Sequence, residues 1–527
     1  MRHTRLDSTP ARASRFALLA ACLLALVPAS QAAGNPDTLV RTDGGTLRGV
    51  ADGDVLSFKG IPYAAPPVGP LRWRAPQPAA RWRGERAADA FGNACIQPTP
   101  SGPGSDTGTP LSEDCLYLNV WTPATRATAP RPVMVWIHGG ALVTGAASQR
   151  VYDGAAFARR GVVLVSINYR LGRLGFFAHP ALTRENADGG RLGNYGLMDQ
   201  VAALRWVQRN IRAFGGDPRR VTVFGESAGA ASVLALMVTP EARGLFQRAI
   251  SQSGYGRGSY SRPAAVAPDG QAAAGDEGAA LLRGIGVDTT DAAVLRGLPL
   301  ARLDALPPIS QMTGANFLLD GQVLREDLWS AFRAGHEARV PLLIGANDQE
   351  NAWPTPPEMK AARLKRFDRW VSPAERAQLV ADYGGQDVFD GHFTGDLTFA
   401  AHAWSLAALH AVNGQPTWRY RFAALPEAAK ATLPGTPHAG ELAYVFGNLG
   451  AAYWPTSARD AAVSAAVMDY WVEFARSGRP QPAGRPAWPR ADADGVMLFE
   501  DDGPKPAARD DRTGRYRALG RYADPRS

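Results

Sequence analysis

Short apolar bursts alternate with stretches of helical periodicity along most of the chain. That is the pattern of a largely parallel sheet flanked by helices, an α/β fold. Val133-Met134-Val135-Trp136-Ile137, Val162-Val163-Leu164-Val165 and Val221-Thr222-Val223-Phe224 read as buried strands, because they are short and carry no polar face. Pro341-Leu342-Leu343-Ile344 predicts another, and Trp418, Tyr420 and Phe422 alternate as in a strand with one buried face. Val201, Leu204, Val207 and Ile211 recur at helical spacing, and Gly215-Gly216 stops that helix. The Ala- and Gly-rich residues 264–280 and the Pro-rich 478–489 are expected to be loops or excursions. No boundary is sharp enough to divide the chain, so residues 33–527 are expected to form one domain.

The first residues belong to a different pattern. Arg2, Arg5, Arg12 and Arg15 precede an apolar run from Phe16 to Val27, and Pro28-Ala29-Ser30-Gln31-Ala32-Ala33 follows. A basic start, a short apolar run and a zone of small residues make a signal peptide over residues 1–32, cleaved best after Ser30-Gln31-Ala32. The run is shorter than the roughly 20 residues that span a bilayer, so export to the periplasm or medium is expected, without a membrane span. Leu19-Ala20-Ala21-Cys22 offers a second reading, a lipoprotein box that would leave Cys22 lipidated. Only six residues separate Arg15 from Cys22, which is short for its apolar region.

Composition adds limits. At 527 residues and 45% hydrophobic content the chain can bury large cores, which excludes a disordered or fibrous protein. Its +8 charge comes from 57 Lys+Arg against 49 Asp+Glu, but the arginines are scattered among acids. A solvated basic surface is the better reading than nucleic-acid binding. Three cysteines cannot build a disulfide scaffold or a Cys-rich zinc site. Removing the signal peptide leaves Cys95 and Cys115, well placed for one disulfide in an oxidising compartment.

The chemistry concentrates at Gly225-Glu226-Ser227-Ala228-Gly229, directly after the strand at 221–224 and before a small-residue helical segment from Ala228 to Val238. Strand–GxSxG–helix is a nucleophile elbow: a tight turn lifts the Ser hydroxyl clear of the sheet and the helix N-terminus favours negative charge beside it. A Ser needs a base, and the base needs an acid to fix its tautomer; in this architecture acid and His follow the Ser in that order. His438, in a Gly- and Pro-containing loop, is the candidate base, whereas His402 and His410 lie in a helix-like stretch and read as structural. Gly345-Ala346-Asn347-Asp348-Gln349-Glu350 follows the strand at 341–344, where the acid belongs, and spacing leaves Asp348 and Glu350 both open. His138-Gly139-Gly140-Ala141 follows the strand at 133–137; its small residues let backbone N–H groups approach a reacting carbonyl, with the N–H of Ala228 completing an oxyanion hole.

These residues resemble the type-B carboxylesterases, the α/β-hydrolase family that includes cholinesterases and bacterial para-nitrobenzyl esterases. Phe214-Gly215-Gly216-Asp217-Pro218 through Gly229 resembles the family's nucleophile signature, and Glu113-Asp114-Cys115-Leu116-Tyr117-Leu118-Asn119-Val120-Trp121 its second. The resemblance implies Glu350 as the acid, with Ser227 and His438, and oxyanion donors at Gly140, Ala141 and Ala228. It also implies a Cys95–Cys115 disulfide and makes Glu226 and Ser253 buried polar supports of the triad. Ala141 stands where many members have Gly and is expected to narrow access for bulky esters, and Asn351 replaces the Gly usual after the acid. The segment between Cys95 and Cys115 holds no Trp, whereas cholinesterases stack choline on one there, so choline esters are disfavoured.

The expected function is an exported serine carboxylesterase acting on small-molecule esters through an acyl-enzyme. No metal or cofactor is expected, nor any nucleic-acid partner, and a monomer is favoured. The alternatives are an amidase, thioesterase or acyltransferase with the same triad, and a non-catalytic adhesion protein of the same fold.

Overall fold

The computed structural model describes residues 38–98, 106–125, 128–255, 262–263, 273–307 and 316–352, and 358–522 apart from 359–360, 362–363, 366 and 369–370. The segment expected to be a signal peptide, its expected cleavage site and Cys22 lie outside the described residues. Residues 37–527 form one compact unit.

The apolar bursts pair side by side. Among the described residues eleven strands make the main sheet: β1 (Val50–Asp52), β2 (Val55–Pro62), β3 (Tyr117–Pro123), β4 (Arg131–Ile137), β5 (Val163–Ile167), β6 (Gly216–Glu226), β7 (Arg248–Gln252), β8 (Leu342–Asn347), β9 (Thr417–Phe422), β10 (Val496–Glu500) and β11 (Gly503–Ala507). Their spatial order is β11-β10-β9-β8-β7-β6-β4-β5-β3-β2-β1. The seven from β10 to β5 run parallel, with antiparallel strands only at the two edges.

Both faces of the sheet are covered, as the uninterrupted apolar runs require. Along β4, Val133, Val135 and Ile137 enter one core cluster while Met134 and Trp136 enter the other, the two-residue alternation of a strand packed on both sides. Strand β9 departs from the one-faced expectation. Trp418, Tyr420 and Phe422 are buried, but so is Arg419 between them, its guanidinium 3.6 Å over the Trp404 ring. Cation–π stacking lets a charged residue occupy an internal position that alternation reads as solvent-facing.

Helix α1 (Tyr195–Asn210) is followed by a 3-10 turn, Ile211–Phe214, and stops at left-handed Gly215, φ 80°. Helix α2 (Ala228–Val238) is buried at every residue, which explains its small side chains. The stretch at 264–280 is not all loop: helix α3 (Ala274–Gly284) begins inside it, with Gly278 so close to Ala178 that a Cβ would lie 2.1 Å from its carbonyl oxygen. That glycine serves packing rather than a turn. Residues 478–489 contain no helix or strand. Helices α4 (Ala401–Val412) and α5 (Ala458–Ser477) complete the elements used below. Among the described residues no helix is long and apolar enough to cross a membrane.

Cys95 and Cys115 form a disulfide and both are buried. The bond restricts the unfolded chain across a separation of 20 residues, which stabilises the fold by about 3 kcal/mol in the chain-entropy picture. Cys95→Ser is therefore expected to lower unfolding stability by about 3 kcal/mol with kcat retained. An unchanged denaturant midpoint under oxidising conditions would refute this.

Candidate active site

Parallel strands in register deliver their C-terminal ends to one edge of the sheet, where ligands collect in open α/β folds. Gly225 pairs with Ile137, Glu226 with Gln252, and Gln252 with Gly345. The loop starting at His138, the elbow at Ser227, Ser253 and the acid loop at 348–350 therefore begin side by side.

Ser227 sits between β6 and α2 with φ 56° and ψ −122°, a conformation a non-glycine residue holds only under constraint. Its N–H donates to the Gln252 carbonyl at 2.9 Å. The flanking glycines do not carry that strain; they permit close approach. A Cβ on Gly229 would lie 2.0 Å from the Ile137 carbonyl oxygen, and one on Gly225 would lie 2.5 Å from the Gly229 carbonyl carbon. The same crowding brings the His138 loop onto the elbow: a Cβ on Gly139 would lie 3.1 Å from Ser227 Cβ and 2.7 Å from Glu226 Oε2.

That loop turns through three successive left-handed residues, Gly140 (φ 98°), Ala141 (φ 58°) and Leu142 (φ 60°). Val143 and Thr144 N–H groups both donate to the Gly140 carbonyl at 2.9 Å. His138 supports it from below, with Nδ1 2.9 Å from the Gly139 carbonyl and its ring stacked on Tyr169, whose hydroxyl donates to the His138 carbonyl. Burial lowers the His138 pKa to about 4, so this imidazole is neutral at pH 7. Ala228 is the first residue of α2, where a backbone N–H has no acceptor within its own helix.

His438 and Glu350 meet. Nδ1 of His438 is 2.6 Å from Glu350 Oε2. Glu350 Oε1 accepts from the Ser253 hydroxyl at 2.5 Å and the Asn347 N–H at 2.7 Å, leaving Oε2 aimed at the ring. On the other side of the imidazole, Nε2 lies 3.1 Å from Oε1 of Glu226, the residue before Ser227. Asp348 points elsewhere: it accepts from the Thr436 N–H at 2.8 Å and faces Arg512. His410 is buried with its Nδ1 2.8 Å from Glu337 Oε1, and His402 is buried on the same helix.

Three residues of this neighbourhood were not singled out from the sequence. Glu441 is buried and accepts from Gln252 at 3.0 Å and Asn347 at 2.7 Å. Its place three residues after His438 was the available signal. Asn347 also donates to the Pro437 carbonyl, tying the acid strand to the histidine loop. Phe399 stacks on the His438 ring, and nothing in its local sequence signals that.

Burial pushes the Glu226 and Glu441 carboxyls above their ordinary range. Burial alone would lower the His438 pKa, but the Glu226 and Glu350 carboxylates and the Glu350 hydrogen bond outweigh it and hold the imidazolium up. As the expected general base, His438 must be neutral, so activity is expected to fall as pH drops through this raised pKa. Glu226→Gln removes one carboxylate that favours the imidazolium and should move the acid limb of kcat/KM to lower pH by about one unit. A limb that stays in place or moves upward would contradict this electrostatic account.

The chain matches the Carboxylesterase family over residues 36–382 and 390–516. It belongs to that family. Fumonisin B1 esterase of Sphingopyxis macrogoltabida is 38% identical over 494 residues, covering 90% of this chain and 88% of that protein. The medium-chain fatty acyl-CoA hydrolase precursor of Anas platyrhynchos is 38% identical over 537 residues, covering 92% of each. Among solved structures, a PNB esterase superposes with a TM-score of 0.79 at 32% identity, covering 92% of this chain and 99% of that one. The fold is thus the α/β-hydrolase fold, and the protein is a carboxylesterase that hydrolyses esters.

Proposed function

We propose that this carboxylesterase is an exported serine hydrolase working through an acyl-enzyme. Ser227 Oγ attacks the ester carbonyl carbon as its proton passes to His438 Nε2. Glu350 holds Nδ1–H and stabilises the imidazolium, and the N–H groups of Gly140, Ala141 and Ala228 receive the oxyanion. His438 then returns the proton to the leaving alcohol. Water repeats the sequence on the acyl group, restoring Ser227.

One observation carries this reading. A strained serine at a helix N-terminus has, against its preceding residue, an imidazole whose far nitrogen is 2.6 Å from a buried carboxylate. Residues 1–32 serve as the export signal, leaving 33–527 as the mature chain; export also suits the Cys95–Cys115 disulfide.

The test is to quench turnover of p-nitrophenyl acetate early and map the adduct by mass spectrometry. An acetyl group on Ser227 is expected; acetyl on another residue, or none under burst conditions, would overturn the proposal. Matched acetyl ester, thioester and amide substrates, with an alcohol competing against water, distinguish hydrolysis of esters from the other bond types and from transfer.

A further inference from the structure

We propose that Phe399 is a positioning residue for ester hydrolysis, its ring fixing the tilt of the His438 imidazole by face-to-face stacking from a π-helical turn. The inference rests on the serine-esterase reading. The two rings lie 4.3 Å apart, centroid to centroid, at an interplanar angle of 22°. Glu350 and Glu226 approach the imidazole at Nδ1 and Nε2. Contacts at these two nitrogens direct the ring, but each tolerates a range of angles, so the imidazole can still librate about its Cα–Cβ and Cβ–Cγ bonds. A flat ring against one face narrows that libration.

The backbone around Phe399 is built for this contact. Residues Asp396–Ala400 form a single π-helical turn between the helix at Gln386–Gly395 and α4. Such turns insert one extra residue and re-aim side chains, and they recur at functional sites. The same segment touches the other member of the pair. A Cβ on Gly395 would lie 2.8 Å from Glu350 Cβ, and Asn351 donates to the Thr394 hydroxyl at 3.2 Å. One short helical piece therefore braces Glu350 through Gly395 and His438 through Phe399. It is itself anchored: buried Asp396 accepts from the Tyr383 hydroxyl at 3.0 Å and faces Arg515 at 3.8 Å. The Phe399 ring rests edgewise against Tyr255, centroids 6.3 Å apart.

Stacking also bears on charge. His438 becomes an imidazolium when it takes the serine proton, and an aromatic face favours a cation over a neutral ring. The charged groups acting on His438 are Glu350, Glu226 and Glu441; on Phe399's own turn the charged residue is Asp396, engaged with Tyr383 and Arg515.

The experiment compares Phe399→Ala, Phe399→Leu and Phe399→Tyr on p-nitrophenyl acetate, a substrate small enough to need little from the pocket, with melting and near-ultraviolet circular dichroism confirming that each variant folds. A free imidazole tilt should lower kcat by about a hundredfold in the Ala variant and about tenfold in the Leu variant, with KM little changed. The Tyr variant, which keeps the face, should match the parent. In the Ala and Leu variants the acid limb of kcat should also move to lower pH by about half a unit, because the imidazolium has lost its aromatic neighbour. A folded Leu variant with parental kcat and parental acid limb would overturn the proposal, as would a series that changes KM alone. If Ser227→Ala abolishes activity while the Phe399 series is silent, only this inference fails; if Ser227→Ala stays active, the reading beneath it fails first.

Discussion

Replacing Ser227 by Ala is expected to lower kcat for ester hydrolysis by about a million-fold, the loss typical when the nucleophile of a triad is removed. On the proposed mechanism, no acyl-enzyme forms without Oγ and His438 has no proton to accept. The N–H groups proposed to receive the oxyanion survive, so a residual rate about a thousandfold above uncatalysed hydrolysis is expected. The fold should tolerate the change, because Ser227 contributes a backbone N–H, not its side chain, to the bond with Gln252. Steady-state kinetics with p-nitrophenyl acetate, backed by absence of a burst phase, measures the loss. Activity within tenfold of the parent would mean that the reaction does not pass through this hydroxyl.

The second large effect is Glu350→Gln, expected to reduce kcat by about ten-thousandfold. The Gln carbonyl can still accept from Ser253 and Asn347, so the loop should keep its shape. Its NH2 group would then face His438 Nδ1, where the carboxylate oxygen sits at 2.6 Å. That neighbour favours the tautomer with hydrogen on Nε2, which cannot receive the serine proton. The companion variant Asp348→Asn, which preserves an acceptor for the Thr436 N–H, should stay near the parental rate. Rates for the two substitutions in the reverse order would assign the acid to residue 348 instead.

This contrast marks a boundary in what local sequence can carry. Asp348 and Glu350 are two residues apart in one loop, and composition and spacing treat them alike; the family resemblance pointed to Glu350. In the structure the difference is one of direction. Asp348 turns toward Arg512 and Thr436, while Glu350 is gripped at one oxygen and presents the other to the imidazole. The flanking glycines of the elbow give a parallel case. GxSxG marked the turn, but the atoms that demand glycine at 229 belong to Ile137 and His138 on a neighbouring strand and its loop, and Ile137 also crowds Gly225.

By itself the sequence determined the buried parallel strands, the elbow and the candidate base, because each is marked by residues close together: periodicity sets which faces are apolar, and GxSxG directly between a buried strand and a small-residue helix marks the elbow. Family resemblance apart, tertiary structure decided which carboxylate reaches His438, and it alone decided why Arg419 can be internal and that Phe399, 39 positions before His438, lies flat against its ring. Those outcomes depend on where separate segments come to rest after the sheet has formed, and the direction of a side chain across such a gap leaves no periodic trace along the chain.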